Sequence, residues 1–221
     1  MKIFRHPATL AVTLFLIGIA IMLTTFIAVK TGTGIGAYDT AIHDWMVQHR
    51  SYVATTLFVI ITTVASPIWI CGITFVGTLL WAWRSRSLWR PALFAGGVAT
   101  GFVITALLKH SIARLRPPTI DMIAPIETDF SFPSGHVIGV ATLAIVLTYL
   151  LASRQRSTKA TIILSIAAFI AIILTALSRI YLGYHWPTDT IASFGLAFIV
   201  CSIVAAVDIV KPTKAVSNTG R

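Results

Sequence analysis

Residues 160–177 read ATIILSIAAFIAIILTAL, eighteen residues with no charge, proline or glycine. As a helix such a run is long enough to cross a hydrocarbon core about 30 Å thick. Working outward from it, apolar runs of similar length recur at about 8–29, 60–83, 91–109, 135–152 and 188–210. Together they predict six membrane spans. The composition agrees: of 221 residues, 57% are hydrophobic and only 11% charged, against about 25% charged in an average soluble domain. A soluble single domain is excluded.

The second run is the least regular. From Val53 to Trp83 the apolar pattern is too long for one straight crossing, and Ser66-Pro67 is expected either to kink it or to split off an interfacial piece. Residues 37–50 alternate Tyr38, Ile42, Trp45 and Met46 with Asp39, His43, Asp44 and Arg50, which predicts a short amphipathic helix lying at the membrane surface. Lys2 and Arg5 before an apolar stretch resemble a signal peptide. Ala8 to Val29 is nevertheless too long for a typical signal core and predicts an uncleaved membrane helix. The expected fold class is all-α, a polytopic bundle of six transmembrane helices with an interfacial helix after the first, in one domain over residues 1–221.

The net charge of +10 suggests nucleic acid at first sight, but the 17 Lys and Arg fall in short clusters between apolar runs rather than on one soluble face. They set topology instead. Eleven of them (Lys2, Arg5, Arg84, Arg86, Arg90, Arg154, Arg156, Lys159, Lys211, Lys214 and Arg221) fall on one side of the membrane, and six (Lys30, Arg50, Lys109, Arg114, Arg116 and Arg179) on the other. By the positive-inside rule both termini are expected in the cytoplasm. Six of the seven acids then lie on the outer side, with Asp208 alone inward. Cys71 and Cys201 both sit inside apolar runs, so neither a disulfide framework nor a thiolate metal site is expected.

Three clusters put ionisable groups at the ends of spans, where an unpaired charge is costly. The first leaves span three: Lys109 and Arg116 are seven residues apart, two helical turns, so both would share one face until Pro117 ends the helix. They form either an anion clamp or a pair of snorkelling cations. The second, Phe132-Pro133-Ser134-Gly135-His136, opens span four. Ser134 suits a helix cap, and the free N–H groups of a first turn attract an anion, which would place His136 beside it. Taken alone it is more often a capped helix start than a site.

The third cluster runs from Ser178-Arg179 to His185-Trp186-Pro187-Thr188-Asp189. A carboxylate four residues beyond a histidine can bond one ring nitrogen and leave the other free to act as nucleophile or base. Half of a metal site is the alternative, though no acidic or cysteine cluster accompanies it. The three clusters share the predicted outer face. Cations and helix-start N–H groups for equatorial oxygens, one histidine to attack and a second to protonate the leaving oxygen together fit phosphoryl transfer.

Lys109-x6-Arg116-Pro117, Pro133-Ser134-Gly135-His136 and Ser178-Arg179-x5-His185-x3-Asp189 resemble the three-part signature of the type 2 phosphatidic acid phosphatase superfamily, in order and spacing, over about residues 50–205. The resemblance implies metal-independent hydrolysis of a lipid phosphate through a phosphohistidine. His185 would be the nucleophile, Asp189 its orienting partner and His136 the general acid. Lys109, Arg116, Ser134, Gly135 and Arg179 would hold the phosphate, with Arg114 beside the clamp but outside the strict motif. No cofactor or metal is implied. The expected partners are a lipid phosphate substrate and membrane lipid, with no nucleic acid; polyprenyl diphosphate and phosphatidylglycerol phosphate are favoured over phosphatidic acid. The expected location is the cytoplasmic membrane, with the site facing outward and lateral entry of the lipid between helices.

Two alternatives remain open on the residues alone. A phosphotransferase would pass the phosphate to an acceptor other than water, and a lipid or anion transporter would use the same cations without needing the histidine pair. Vanadate-dependent halide oxidation uses a similar anion pocket but fits poorly with six spans. Thr31-Gly32-Thr33-Gly34-Ile35-Gly36 follows a span rather than a strand and is expected to be a turn, not a nucleotide loop. Gly97-x3-Gly101 and Gly135-x3-Gly139 are expected to let helices approach closely. Asp121, Glu127 and Asp129, in an ordered connection of residues 110–134, are expected to be solvated loop acids.

Overall fold

A computed structural model describes residues 7–154 and 157–210. Of the charges used for the topology, Lys2, Arg5, Arg156, Lys211, Lys214 and Arg221 lie outside the described residues. The described residues form eight α-helices: α1 (Pro7–Thr31), α2 (Asp39–Gln48), α3 (Tyr52–Val64), α4 (Pro67–Ser85), α5 (Trp89–Ile112), α6 (Gly135–Ala152), α7 (Thr158–Tyr181) and α8 (Pro187–Val210). Six of them, α1 and α4 to α8, are long and apolar enough to cross a membrane.

The helix starts follow from local chemistry. Ser51, Ser134 and Ser157 cap α3, α6 and α7 by accepting a first-turn N–H. Pro67 and Pro187 stand in the first turns of α4 and α8, where the missing N–H has no partner to lose. Pro67 also corrects the second expected span, which begins at 67 and not at 60. A proline cannot continue the preceding helix without losing a hydrogen bond and clashing with the carbonyl four residues back. Residues 52–64 therefore form a helix of their own. Its face Ser51, Thr55, Phe58 and Thr62 lies against the end of α7: Ser51 N–H donates to Tyr181 Oη at 2.8 Å, and Phe58 packs 4.7 Å from the Tyr181 ring.

At the centre stand α6 and α8, whose apolar windows are 56% and 61% buried; those of α1, α4 and α7 are only 17%, 11% and 17% buried. The outer helices thus turn side chains such as Phe15, Leu79 and Phe169 outward, as lipid-facing helices do. Val98, Ile138, Val146, Leu150, Leu196 and Val200 make the core. Antiparallel α1 and α8 touch at Gly18 and Gly195, where a Cβ on Gly18 would stand 2.7 Å from the Gly195 carbonyl oxygen. The glycines at 97, 101 and 139 do what their spacing predicts, bringing α5 onto α6: a Cβ at Gly101 would lie 2.8 Å from Thr142 Cγ2. Gly135 has no such neighbour and opens on a cavity instead. Cys201 is buried as expected, whereas Cys71 lies on the exposed face of α4.

Alternating helix direction gathers the C-terminal ends of α5 and α7 and the N-terminal ends of α6 and α8 at one end of the bundle. All three motif clusters meet there. The opposite end is tied by Arg90, which bonds the Leu150 carbonyl, Ser153 Oγ and the carboxylate of Asp208, so Asp208 is paired.

Candidate active site

The chain leaving α7 turns at Gly183 with φ +82°, and a Cβ there would collide with the Asp121 carbonyl. Only glycine suits both demands. The turn is closed by Tyr184 and His185 N–H groups donating to the Arg179 carbonyl at 3.0 and 3.2 Å. His185 and Asp189 consequently face each other across the start of α8, both buried, with Nδ1 3.4 Å from Oδ2. The second ring nitrogen, Nε2, lies 3.2 Å from Arg116 Nη1. A proton on Nδ1, held toward the carboxylate, leaves the Nε2 lone pair available. Burial, reinforced by the charges of Arg116, Arg179 and Lys109, holds the His185 imidazole well below the usual histidine value and so neutral.

Asp189 is itself held on every side. Trp186 N–H donates to Oδ2 at 2.9 Å, Ser131 Oγ–H donates to the same oxygen, and Arg114 Nη1 donates to Oδ1 at 2.5 Å.

The two clamp cations arrive differently from the expectation of a shared helix face. α5 ends at Ile112, with Ala113 in the left-handed region, and residues 114–116 leave the helix. Arg116 precedes a proline, which disfavours helical backbone, and the segment is held by Ser131 N–H on the Arg114 carbonyl at 2.8 Å. Lys109 and Arg116 nonetheless converge, because both bind the carboxylate of Asp129. Arg179, 1% exposed, donates to Thr62 Oγ1 at 2.8 Å and stacks 4.0 Å from the Tyr184 ring centroid. It pairs with Glu127, whose other oxygen lies 2.8 Å from Arg116 Nη2.

Glu127 and Asp129 fold back onto the three cations: Glu127 is drawn in among them, whereas Asp129 pairs with Lys109 and Arg116 while its side chain stays 60% exposed, as expected of a loop acid. For Asp129, burial opposes ionisation, but hydrogen bonds and charge from Lys109 and Arg116 outweigh it and pull the carboxyl down to about 2.

Between these groups lies a cavity of about 340 Å³. Lys109, Arg116, Glu127 and Asp129 line one side, Gly135, His136 and His185 another, and Pro67, Phe102 and Ala106 an apolar rim. Thr105, one turn before Lys109, also lines it, and its buried hydroxyl has no hydrogen-bond partner among the described residues. His136 Nε2 lies 3.5 Å from Arg179 Nη1. Ser134 is fully buried behind the helix start, its hydroxyl accepting the Val137 N–H and its own N–H donating to Ser193 Oγ at 2.9 Å. Its place is in the cap that aims Gly135 and His136 at the cavity. Among the described residues no group of three or more His, Cys, Asp and Glu is placed to hold a metal.

Four residues at the site escaped the sequence motifs or were underrated by them: Asp39, Arg114, Ser131 and Glu127. Arg114 and Ser131 stand next to motif residues, a weak signal. Asp39 and Glu127 carry none, since only tertiary folding brings them in.

The architecture is that of a polytopic helical membrane bundle with its polar site at one end. The PAP2 superfamily model matches residues 90–209, and the chain belongs to that superfamily. It is 32% identical over 125 residues to the phosphatidylglycerophosphatase B of Bacillus subtilis (strain 168), covering 56% of this chain and 60% of that protein. It is 36% identical over 126 residues to the undecaprenyl-diphosphatase of Sulfolobus acidocaldarius, covering 53% and 56%. The matches thus span little more than half the length of these relatives. The fold superposes on the crystal structure of a transmembrane PAP2 type phosphatidylglycerolphosphate phosphatase from Bacillus subtilis with a TM-score of 0.79 and 22% identity, over 90% of this chain and 99% of that one. The chain is a multi-span membrane protein.

Proposed function

We propose that the protein hydrolyses a lipid phosphate in this cavity, at the outer face of the membrane, through a phosphohistidine. The observation that carries this is the meeting of two cations, Lys109 and Arg116, with His136 and His185 in one cavity with an apolar rim, His185 backed by buried Asp189 and the buried Arg179 standing behind Glu127. The names of the relatives, a phosphatidylglycerophosphatase and an undecaprenyl-diphosphatase, support a lipid phosphate as substrate.

The phosphate displaces the carboxylates of Glu127 and Asp129 and takes Lys109, Arg116 and Arg179 in their place, while the first-turn N–H groups at Gly135 and His136 face its oxygens. The positive charge needed by the equatorial oxygens comes from these side chains. The His185 Nε2 lone pair attacks phosphorus as the bond to the lipid oxygen breaks, and His136 gives that oxygen a proton. Asp189 stabilises the charge the imidazole acquires. Water, losing its proton to His136, then attacks the phosphohistidine and frees phosphate and His185. The lipid chains lie along Pro67, Phe102 and Ala106, and the Thr105 hydroxyl is placed for a substrate oxygen.

The test is phosphate release by the purified protein, with chelator present, from polyprenyl diphosphate, phosphatidylglycerol phosphate and phosphatidic acid, each beside His185→Ala. Release with an acid-labile phosphoenzyme, both lost in the variant, is the expected result. Phosphoenzyme surviving in His185→Ala overturns the assignment of the nucleophile. Silence of the folded wild type on all three lipids overturns the function and favours the transferase or transporter alternatives.

A further inference from the structure

We propose that Asp39, the first residue of α2, is a positioning residue for this chemistry, acting through Arg114 on the Asp189 carboxylate that orients His185. The inference rests on the proposed function and adds an element outside the matched motifs and outside the matched residues 90–209.

Asp39 opens a short amphipathic helix whose Ile42 and Trp45 are exposed, yet it is itself only 4% exposed. Its carboxylate points into the start of α8. Oδ1 accepts the Thr188 N–H at 3.0 Å, and Oδ2 accepts Thr188 Oγ1–H and Arg114 Nη2–H at 2.6 Å each. Arg114 spends its other terminal nitrogen, Nη1, on Asp189 Oδ1 at 2.5 Å and Thr188 Oγ1 at 2.7 Å. The guanidinium is thus fixed at both ends between two carboxylates, one catalytic and one not. His43, one turn further along α2 and 1% exposed, packs 5.3 Å from the Trp186 ring, and Trp186 N–H bonds Asp189. Two residues of α2 therefore brace the Trp186–Asp189 turn from one side.

The arrangement has an electrostatic consequence. Arg114 alone would cancel the charge of Asp189, leaving His185 a neutral neighbour. With Asp39 in place, two carboxylates share one guanidinium and the group keeps one net negative charge beside the imidazole. That charge is needed when Nε2 bonds phosphorus and the ring becomes positive. A cap on α8 by Asp39 would serve the fold only, and the two roles separate experimentally.

Asp39→Asn removes the charge at constant shape. Turnover of whichever lipid phosphate the wild type hydrolyses should fall in kcat by about tenfold or more, the effect of one lost charge-assisted hydrogen bond. KM and the dissociation constant of inorganic phosphate should stay within about twofold, since Asp39 touches none of the anion-binding cations. In an Asp189→Asn background the same change should cost less than about twofold, because the group through which it acts is gone. Asp39→Glu, which keeps the charge, should retain more turnover than Asp39→Asn. Unchanged kcat in Asp39→Asn, or an equal loss in both backgrounds, overturns the proposal. So does failure of both the Asn and Glu variants to bind phosphate, which would make Asp39 a residue of the fold alone. A wild type silent on every lipid phosphate refutes the proposed function instead, an outcome read before any variant is compared.

Discussion

His185 is buried, surrounded by cations and neutral, and its neutrality has a direct pH consequence. For an activated aryl phosphate, whose departure needs no proton from His136, kcat/KM should stay level as pH falls from about 8 through the ordinary histidine value of about 6.5. A decline centred there would show an imidazole that titrates normally. The same burial acts on stability with a definite sign. Below about 6.5 the unfolded chain takes up a proton that folded His185 refuses, so stability is lost as pH falls below that value. Asp129 acts on binding: its carboxylate competes with phosphate for Lys109 and Arg116. Asp129→Asn should lower the inhibition constant for inorganic phosphate by about fivefold, about 1 kcal/mol for the loss of its partly exposed pairing with the two cations. A raised constant would mean that Asp129 assembles the cations rather than occupying them.

Elements place these residues by their ends. α6 begins at the Ser134 cap and presents its first turn to the cavity, α8 begins at Pro187 and sets its first-turn Asp189 behind His185, while α5 and α7 deliver Lys109 and Arg179 from their last turns. The joint that decides the geometry is the α7–α8 turn. Gly183→Ala would combine an unfavourable left-handed backbone with a Cβ 2.4 Å from the Asp121 carbonyl oxygen, at a cost of at least about 2 kcal/mol. Thermal unfolding in detergent should show the loss, and kcat should fall with it because His185 follows two residues later. A variant as stable and active as wild type would show that the turn relaxes freely. α3 is a further lesson at this scale: its apolar composition reads as part of a span, and one proline makes it a separate helix that braces Tyr181 and Arg179 instead.

For the whole molecule, the charge distribution predicts that the site end faces outward. Cysteine placed at Ile120, 90% exposed in the loop at that end, should react with a membrane-impermeant thiol reagent on intact cells, whereas cysteine at exposed Ser87, in the α4–α5 turn, should react only after permeabilisation. Both probes require a background without Cys71 and Cys201. The reverse pattern would invert the topology and place the chemistry in the cytoplasm. The membrane class, the span count, the Ser134 cap and the motif residues were legible in the sequence alone. Length, hydropathy and cap chemistry are local properties, and Lys109, His136, His185 and Asp189 sit at short fixed spacings within their own segments. The end of α5 at Ile112, the return of Glu127 and Asp129 onto the cations, and the arrival of Asp39 at Arg114 and Thr188 were decided only by the tertiary structure. Each depends on which buried charge finds which partner across tens of residues. That choice is settled by the cost of leaving an ion unpaired in a low-dielectric interior, and no local pattern records it.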